Sequence, residues 1–422
     1  MSFDAATLAD WLAHLEQLHP SAIDMGLARV TQVRDAMGLQ PGFPVIIVGG
    51  TNGKGSTCSM LSTAYRAAGY KVGTYTSPHL LRFNERIAVD LVPVSDDAIV
   101  ASLRAIEQAR GDVSLTYFEF STLAAVHRFM QAGVDVAVLE VGLGGRLDAV
   151  NVFDADVAAV STVDLDHQSY LGNTRESIGF EKAGIYRAGR PALCADPNPP
   201  ATLIAHAEAI GADLQLFGRD FGYVNETTQW RWRGRNGQKP GLPFPALRGN
   251  YQLGNASLVI AILDALHQRL PVGIGDIKRG LLEVELPGRF QVLPGRPSIV
   301  LDVGHNPQCS AALAQNLMNQ GFFQQTFGVF GAMSDKDIAG IVAPLKEVID
   351  VWHVATLDTP RAASGEDLAQ QLQGVGVKGK VVVFPTIEDA FNAARLQAGE
   401  NDRIAAFGSF YTVAPVLALK PR

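Results

Sequence analysis

The chain has 422 residues, 47% of them hydrophobic and 18% charged, which is enough apolar mass for sizeable cores and too little charge for a disordered chain. With 35 Lys plus Arg against 42 Asp plus Glu the formal net charge is −7, which argues against a nucleic-acid partner, whose phosphates need a basic field. Three cysteines, Cys58, Cys194 and Cys309, suggest neither a closed disulfide framework nor a metal-ligand spacing, and no apolar run is long enough to span a bilayer. A soluble protein of a reducing, cytoplasmic compartment is expected, with no secretory signal and no membrane partner.

In chain order, Leu8, Trp11, Leu12, Leu15 and Leu18 are spaced for one face of a helix that Pro20 ends. Ile23-Asp24-Met25-Gly26-Leu27 reads as a turn before a second helical pattern around Val30 to Met37. Val45 to Val48 is a short, fully apolar run of the kind found in buried parallel strands. A glycine-rich loop follows at once, then a helical stretch from Ser59 to Ala68 stopped by Gly69, and a strand from Val72 to Thr76 leading into Ser77-Pro78-His79. Val136 to Leu139 ends on Glu140, and Val157 to Val160 leads into Asp164-Leu165-Asp166-His167. Strands alternating with helices imply a mostly parallel sheet covered on both faces, with ligands at the carboxyl ends of the strands. The loop, Ser77, Glu140 and His167 all fall at that edge.

Farther on, Tyr223, Trp230 and Trp232 alternate with polar residues, and Asn236-Gly237 signals a hairpin turn. Arg231, Arg233 and Arg235 beside the tryptophans have the makings of a single-strand stacking surface, but one basic stripe on an acidic chain is more often a solvated strand face. After Leu286-Pro287-Gly288-Arg289-Phe290 a new α/β pattern starts, with strands expected at 299–302, 327–330, 351–355, 381–384 and 404–407. The fold class expected is α/β: a P-loop ATPase-like parallel-sheet domain over 1–286, a hinge over 287–297 at the Pro-Gly pair, and a smaller Rossmann-like domain over 298–422.

Gly50-Thr51-Asn52-Gly53-Lys54-Gly55-Ser56-Thr57 departs from the strict G-x-x-x-x-G-K-[ST] pattern at Val48 and at Gly55. The chemistry survives both departures. Glycines 49, 50, 53 and 55 let backbone N–H groups approach phosphate oxygens, the following helix presents its positive end, and Lys54 adds a full charge. Ser56 or Thr57 offers a hydroxyl for Mg²⁺. Glu140, a carboxylate at a buried strand end beside this loop, reads as a Mg²⁺ ligand. His167 and Lys182 are by spacing alone an ordinary loop histidine and an ordinary helix lysine, and His127 in an apolar helical stretch reads as a core residue.

The loop Gly50-Thr51-Asn52-Gly53-Lys54-Gly55-Ser56 resembles that of the Mur-ligase superfamily, and its Lys-Gly-Ser ending is similar to the folylpolyglutamate synthase branch, most of all its bifunctional dihydrofolate synthase members. Further segments match that branch in order: Ser77-Pro78-His79-Leu80, Asn84-Glu85-Arg86, Thr116-Tyr117-Phe118-Glu119, Glu140 to Asp148, Asp166-His167, Glu181-Lys182-Ala183-Gly184, Leu286 to Arg289, Asp302 to Pro307 and Gly408-Ser409-Phe410. Val150 precedes Asn151 where the family more often has Thr-Asn.

The resemblance implies that Gly53, Lys54, Gly55 and Ser56 hold ATP phosphates, joined by Asn255, Arg289 and Asp302 as further ATP contacts. It implies magnesium, at two sites, ligated by Ser77, Glu140 and His167, and a carbamylated Lys182, with Lys54, Glu140, His167 and Lys182 as the catalytic group. Ile23, Asp24, Met25, Thr116, Tyr117, Phe118, Glu119, Leu147, Asp148 and Ala149 correspond to a dihydropteroate pocket, and His305 and Ser409 to a glutamate site in the second domain. The implied partners are ATP, L-glutamate, dihydropteroate and reduced folates, acting on a monomer. The implied reaction activates a carboxylate as its acyl phosphate and joins it to the glutamate amine. A single-activity folylpolyglutamate synthase is the first alternative, since such relatives share most of these motifs. A peptidoglycan Mur ligase is a further competing reading, but such an enzyme is expected to carry a uridine-nucleotide domain before the loop, where this chain has 49 residues. A nucleotide-binding regulator without ligase chemistry is the competing reading of another class, and intact Lys54, Glu140, His167 and Lys182 argue against it.

Overall fold

The computed structural model describes residues 3–249 and 251–419. Four apolar residues, Val45 to Val48, have no room for solvent on either face, and they form the middle of a parallel sheet. Its strands are β1 (Val45–Gly49), β2 (Val72–Tyr75), β3 (Ile87–Val89), β4 (Val92–Pro93), β5 (Val136–Glu140), β6 (Val157–Val160), β7 (Pro191–Cys194) and β8 (Asp213–Leu216), in the order β4-β3-β2-β5-β1-β6-β7-β8. Strands β2, β5, β1, β6, β7 and β8 run parallel, and β3 and β4 extend one side through antiparallel pairings. All residues of β1 and β5 are buried, as helices on both faces require.

Helices cover the sheet for local reasons that can be read off the chain. Leu8–Leu18 starts where Thr7 accepts the Asp10 N–H at 3.2 Å, and it buries Leu8, Trp11 and Leu15. That face packs on the helices Asp96–Arg110 and Tyr117–Ala132, whose Leu103, Ile106, Phe120 and Leu123 share the same core. Each such buried side chain contributes about 1.5–3 kcal/mol relative to exposure. The helix after the glycine-rich loop spans Lys54–Ala67, so it starts at Lys54 rather than at Ser59: the end of the loop is itself the first helical turn. Against it lies Ile274–Glu283, brought to backbone contact by Gly280, where a Cβ would sit 2.6 Å from Ala64 Cα.

A separate three-stranded sheet, β9 (Gly222–Asn225), β10 (Trp230–Gly234) and β11 (Gly237–Leu242), contains the tryptophans. Trp230 and Trp232 are fully buried, and their indole N–H groups donate to Pro243 O at 2.7 Å and Ser257 O at 3.1 Å. The alternate residues Arg231 and Arg233 face outward, Arg231 onto Glu226 at 2.9 Å. The indoles therefore serve the core and offer no stacking surface. The turn is centred one residue earlier than the Asn-Gly pair suggests. Gly234 pairs with Gly237, the loop is Arg235-Asn236, and Gly237 takes the positive φ of 121° that follows it.

Two units divide the chain: residues to Ala246 with Leu253–Val284, and Leu247–Gln252 with Glu285 onward. The short segment 247–252 thus groups with the second unit, although the sequence reading placed it in a continuous 1–286 domain. The second unit holds β12 (Gln291–Leu293), β13 (Ser298–Asp302), β14 (Thr326–Phe330), β15 (Val351–Ala355), β16 (Lys380–Phe384) and β17 (Arg403–Phe407) in the order β12-β13-β17-β14-β15-β16. All neighbours are parallel except β12 with β13. The stretch 287–297, expected as a hinge, therefore includes an edge strand. Phe330, Trp352 and Phe407 close the core, with ring centroids 5.2–6.0 Å apart.

Candidate active site

The glycine-rich loop leaves the carboxyl end of β1, the strand flanked by β5 and β6. Two of its glycines are obligatory. Gly50 has φ 138° and a Cβ there would lie 2.0 Å from Ser161 Oγ; Gly53 has φ 89° and its Cβ would lie 2.4 Å from Asn255 Oδ1. The second contact brings Asn255 to the loop across two hundred residues. Lys54 Nζ donates to Gly50 O at 3.0 Å and Thr51 O at 3.1 Å, folded back over the concavity, while Gly55 and Ser56 lie in the first turn of the helix it opens. The loop is also tied to the turn after β6. Thr51 N donates to Thr162 O at 2.7 Å, Ser161 Oγ to Asn52 O at 2.6 Å, and Thr51 Oγ1 to Asp164 O at 3.1 Å. Sequence reasoning did not single out Ser161, Thr162 and Asp164, although their place at the end of β6 obeys the same strand-end rule that found Glu140.

Register places the other candidates at this edge. Val48 of β1 sits beside Glu140 of β5, and Tyr75 of β2 beside Leu139. Two residues past Tyr75, the Ser77 N–H donates to Glu140 Oε2 at 3.2 Å, so Ser77 and Glu140 meet. Burial pushes the Cys58 thiol well up, and the Glu140 charge adds to this while Lys54 opposes it. Lys182, in the helix Arg175–Ala183, is not a solvated lysine: it is only 4% exposed. Burial, then the Lys54 charge, lowers its pKa to about 7 against the pull of Asp166 and Asp148. Asp148 is pushed up to about 7 by burial, although it accepts N–H bonds from Leu143 at 2.7 Å and Val150 at 3.1 Å. Lys54, Asp166 and Asp148 therefore all act on the buried Lys182, and Lys54 and Glu140 both act on the buried Cys58. His167 follows Asp166 in the left-handed region, φ 51°, and begins the short helix Gln168–Leu171.

Among the described residues no three His, Cys, Asp or Glu side chains are gathered as a metal cage. The donors that do meet here, one buried carboxylate and the hydroxyl-bearing Ser77, suit a hard cation that keeps waters and shares phosphate oxygens rather than one needing an all-protein cage.

The segments assigned to the pteroate pocket gather over the glycine turn that follows β5. A Cβ on Gly142 would lie 2.5 Å from Phe118 Cζ, and one on Gly144 would lie 3.7 Å from Met25 Cε. Thr116 and Glu119 form a capping box: Glu119 N donates to Thr116 Oγ1 at 3.2 Å and Thr116 N to Glu119 Oε2 at 2.7 Å. Tyr117 packs edge-on against Phe83 and under the Arg86 guanidinium, 5.3 Å from its ring. Arg86 Nε in turn donates to His79 Nδ1 at 2.8 Å, and burial followed by the Arg86 charge lowers the His79 pKa to about 4. Asp148 caps the 3₁₀ turn Ala149–Val152, which places Leu147 and Ala149 on either side of it. Asp24 lies in the irregular segment with Ile23 and Met25, where Arg29, a residue the sequence did not single out, donates to it.

In the second unit, Asp302 ends β13 beside Phe407 of β17, so Asp302, His305 and Ser409 lie at the carboxyl edge of that sheet. Asp302 accepts from Phe290 N at 3.0 Å and Gly304 N at 2.7 Å, and burial raises its pKa while those bonds and Arg289 oppose the rise. Arg289 stacks on Phe410, 5.2 Å from its ring. His305 Nδ1 lies 3.0 Å from Val303 O, and Ser409 caps the helix Phe410–Ala418.

A phosphate loop on the central strand of one parallel-sheet unit, followed by a second parallel-sheet unit with its own strand-end acid, defines the Mur-ligase class. Family models agree: the Mur ligase middle domain matches residues 48–219, and the Mur ligase glutamate ligase domain matches residues 288–410. The chain is 43% identical over 414 residues to the dihydrofolate synthase/folylpolyglutamate synthase of Escherichia coli strain K12, covering 98% of this chain and 95% of that one. It is also similar to the solved structure of E. coli FolC in complex with DHPP and ADP (TM-score 0.93, 42% identity, 98% of both chains). A bifunctional folylpolyglutamate synthase/dihydrofolate synthase with Mn, AMPPNP and L-glutamate bound matches with TM-score 0.91 and 41% identity over 99% of both chains. The chain belongs to the dihydrofolate synthase/folylpolyglutamate synthase family. No helix among the described residues is long and apolar enough to cross a membrane.

Proposed function

We propose that the chain is an ATP-dependent ligase that adds L-glutamate to 7,8-dihydropteroate and to tetrahydrofolate. The observation that supports this reading is that the Ser77 N–H meets Glu140 at the carboxyl edge of the sheet while the Lys54 charge acts on the buried Lys182, in a chain of this family. A carboxylate is a poor electrophile at neutral pH, so its oxygen first attacks the γ-phosphorus of ATP and ADP leaves. The amine of glutamate then attacks the acyl-phosphate carbon, gives up a proton, and inorganic phosphate departs. Phosphoryl transfer of this kind asks for positioning and charge neutralisation more than for a protein nucleophile.

The N–H groups from Gly53 to Ser56 cradle the phosphates, and Lys54, released from its two loop carbonyls, sets its charge against them. Ser77, Glu140 and His167 would hold Mg²⁺, at two sites in this reading, and the metal would neutralise charge on the transferred phosphoryl group. Lys182 is suited to carbamylation. Its amine is half neutral near pH 7, and a neutral amine adds CO₂ with loss of one proton, replacing a buried cation with a carboxylate. Intact mass measured with and without CO₂ checks this, and no CO₂-dependent gain at Lys182 counts against it. Asn255, Arg289 and Asp302 are the proposed further nucleotide contacts, and His305 and Ser409 the proposed glutamate contacts. The acceptor is held by the segments around Asp24, Thr116 to Glu119 and Leu147 to Ala149. The protein works as a cytoplasmic monomer without nucleic acid.

The test is ADP release with ATP, Mg²⁺ and L-glutamate, comparing dihydropteroate with tetrahydrofolate as acceptor. Glutamate-dependent turnover with both is expected. Turnover with one acceptor alone reduces the reading to a single activity, and turnover with neither overturns it.

A further inference from the structure

In the proposed acceptor pocket, Phe118 covers Gly142, and Met25, beside Leu171, covers Gly144 of the same turn; Met25 and Phe118 come from segments ninety residues apart. Phe118 is rigidly mounted in the first turn of the helix Tyr117–Ala132. Met25 is not mounted on any element. Among the described residues, the segment 20–26 makes no backbone–backbone hydrogen bond, so its position depends on side chains.

Those side chains converge on one guanidinium. Arg29, in the helix Ala28–Ala36, donates from Nη1 to Asp24 Oδ2 at 2.7 Å and from Nη2 to the Asp24 carbonyl at 3.0 Å. The same Nη2 reaches Glu119 Oε1 at 3.2 Å. Glu119 is buried and its other oxygen accepts from the Thr116 N–H of the capping box, so the far end of the bridge is anchored on the helix start. Asp24 and Glu119 immediately adjoin Met25 and Phe118. The planar guanidinium spreads its N–H donors in a fixed fork, which suits it to hold a side-chain carboxylate, a backbone carbonyl and a second carboxylate at once. Further support comes from Ser21, whose Oγ donates to Ile23 O at 2.7 Å, and from His19, whose Nε2 lies 3.0 Å from Asp24 Oδ2 and whose Nδ1 lies 2.9 Å from Ser114 Oγ.

We infer that Arg29 is a positioning residue that latches the Ile23–Met25 segment to Glu119, fixes the gap between Met25 and Phe118, and so preforms the slot for the flat ring of the acceptor. This rests on the acceptor-pocket reading above. Arg29 touches no reacting atom in this account. It lowers the ordering that acceptor binding would otherwise have to supply, so its loss acts on acceptor affinity and not on the chemical step.

Two measurements on Arg29→Met and Arg29→Lys test the latch. In limited thermolysin proteolysis of the full chain, cleavage within residues 20–27, beside Ile23, Met25 and Leu27, should be at least severalfold faster in Arg29→Met, while global unfolding in urea keeps its midpoint. This arm needs no substrate, so it stands even if the proposed activity fails. Unchanged cleavage within 20–27 overturns the latch. In the ADP-release assay, KM for dihydropteroate should rise about tenfold or more in Arg29→Met, with kcat and the KM for ATP within about threefold of wild type. Arg29→Lys keeps the charge but loses the planar fork, and should fall between the two. A merely structural role would lower kcat with the folded fraction and leave KM alone, and that result overturns the inference. Wild type that turns over neither acceptor refutes the functional reading instead, leaving the proteolysis result to decide the latch.

Discussion

Replacing Lys182 with methionine turns a buried titrating amine into an apolar side chain of similar length. The folded chain holds the Lys182 pKa at about 7, against 10.5 ordinarily, because burial and the Lys54 charge disfavour the ammonium more than Asp166 and Asp148 favour it. Between those values the unfolded chain binds a proton that the folded chain does not, so the lysine's contribution to stability rises with pH. Below about pH 7 both states are protonated and the full cost, roughly 4–5 kcal/mol, is felt; above about pH 10.5 it vanishes. Methionine bears no such cost at any pH. Urea unfolding in CO₂-free buffer should therefore find Lys182→Met more stable than wild type near pH 6. The advantage should shrink by about 1.4 kcal/mol per pH unit from about pH 7 to about pH 9. The apolar packing of methionine adds a constant, so the slope is the informative quantity. A difference that stays flat across this range would refute the argument, because it would mean that Lys182 is buried without being titrated by its surroundings.

Asp148 should show the opposite sense. Its pKa is raised from 3.8 to about 7, so the unfolded chain loses the proton first and the stability it contributes falls as pH rises through that window. Asp148→Asn should gain on wild type between about pH 4 and about pH 7 in urea unfolding, and a pH-independent difference contradicts the burial argument. Lys54→Ala should keep its unfolding midpoint and lose ATP-dependent turnover by about a hundredfold or more; wild-type-like kcat in a folded variant would sink the assigned role. Gly53→Ala forces φ 89° on an alanine and a Cβ to within 2.4 Å of Asn255 Oδ1, so it should cost about 1–3 kcal/mol and weaken nucleotide binding. An unchanged urea midpoint with wild-type ADP affinity would show that the loop relaxes freely.

The sheet edge was legible because its signal is local. Val45 to Val48, Val136 to Leu139 and Val157 to Val160 are apolar on both faces, and each ends on the polar residue or turn that the site uses. What escaped lies at the margins. β3, β4 and β12 are two or three residues long, too short for any periodicity, and β7 opens on a proline. Lys182 and its motif could be quoted from the chain, but its burial could not, since a lysine in a nine-residue helix is ordinarily solvated. Arg29 was invisible for a different reason. Its two partners lie five and ninety residues away, and nothing in the spacing of Asp24, Arg29 and Glu119 announces that one guanidinium holds both carboxylates.

The tie between the phosphate loop and the turn after β6 has a consequence for how such a loop can be inherited or transplanted. The space that a side chain at position 50 would need is already filled by Ser161 Oγ, 2.0 Å from where its Cβ would be, and the same hydroxyl donates to Asn52 O. Two stretches separated by more than a hundred residues are therefore one part, like the halves of a clasp. A nucleotide loop of the strict pattern, grafted alone between Val48 and Thr57, would arrive without its other half. In any lineage of this fold a change at Gly50 or Asn52 is expected to travel with a change at Ser161 or Thr162, so the two would drift together or not at all.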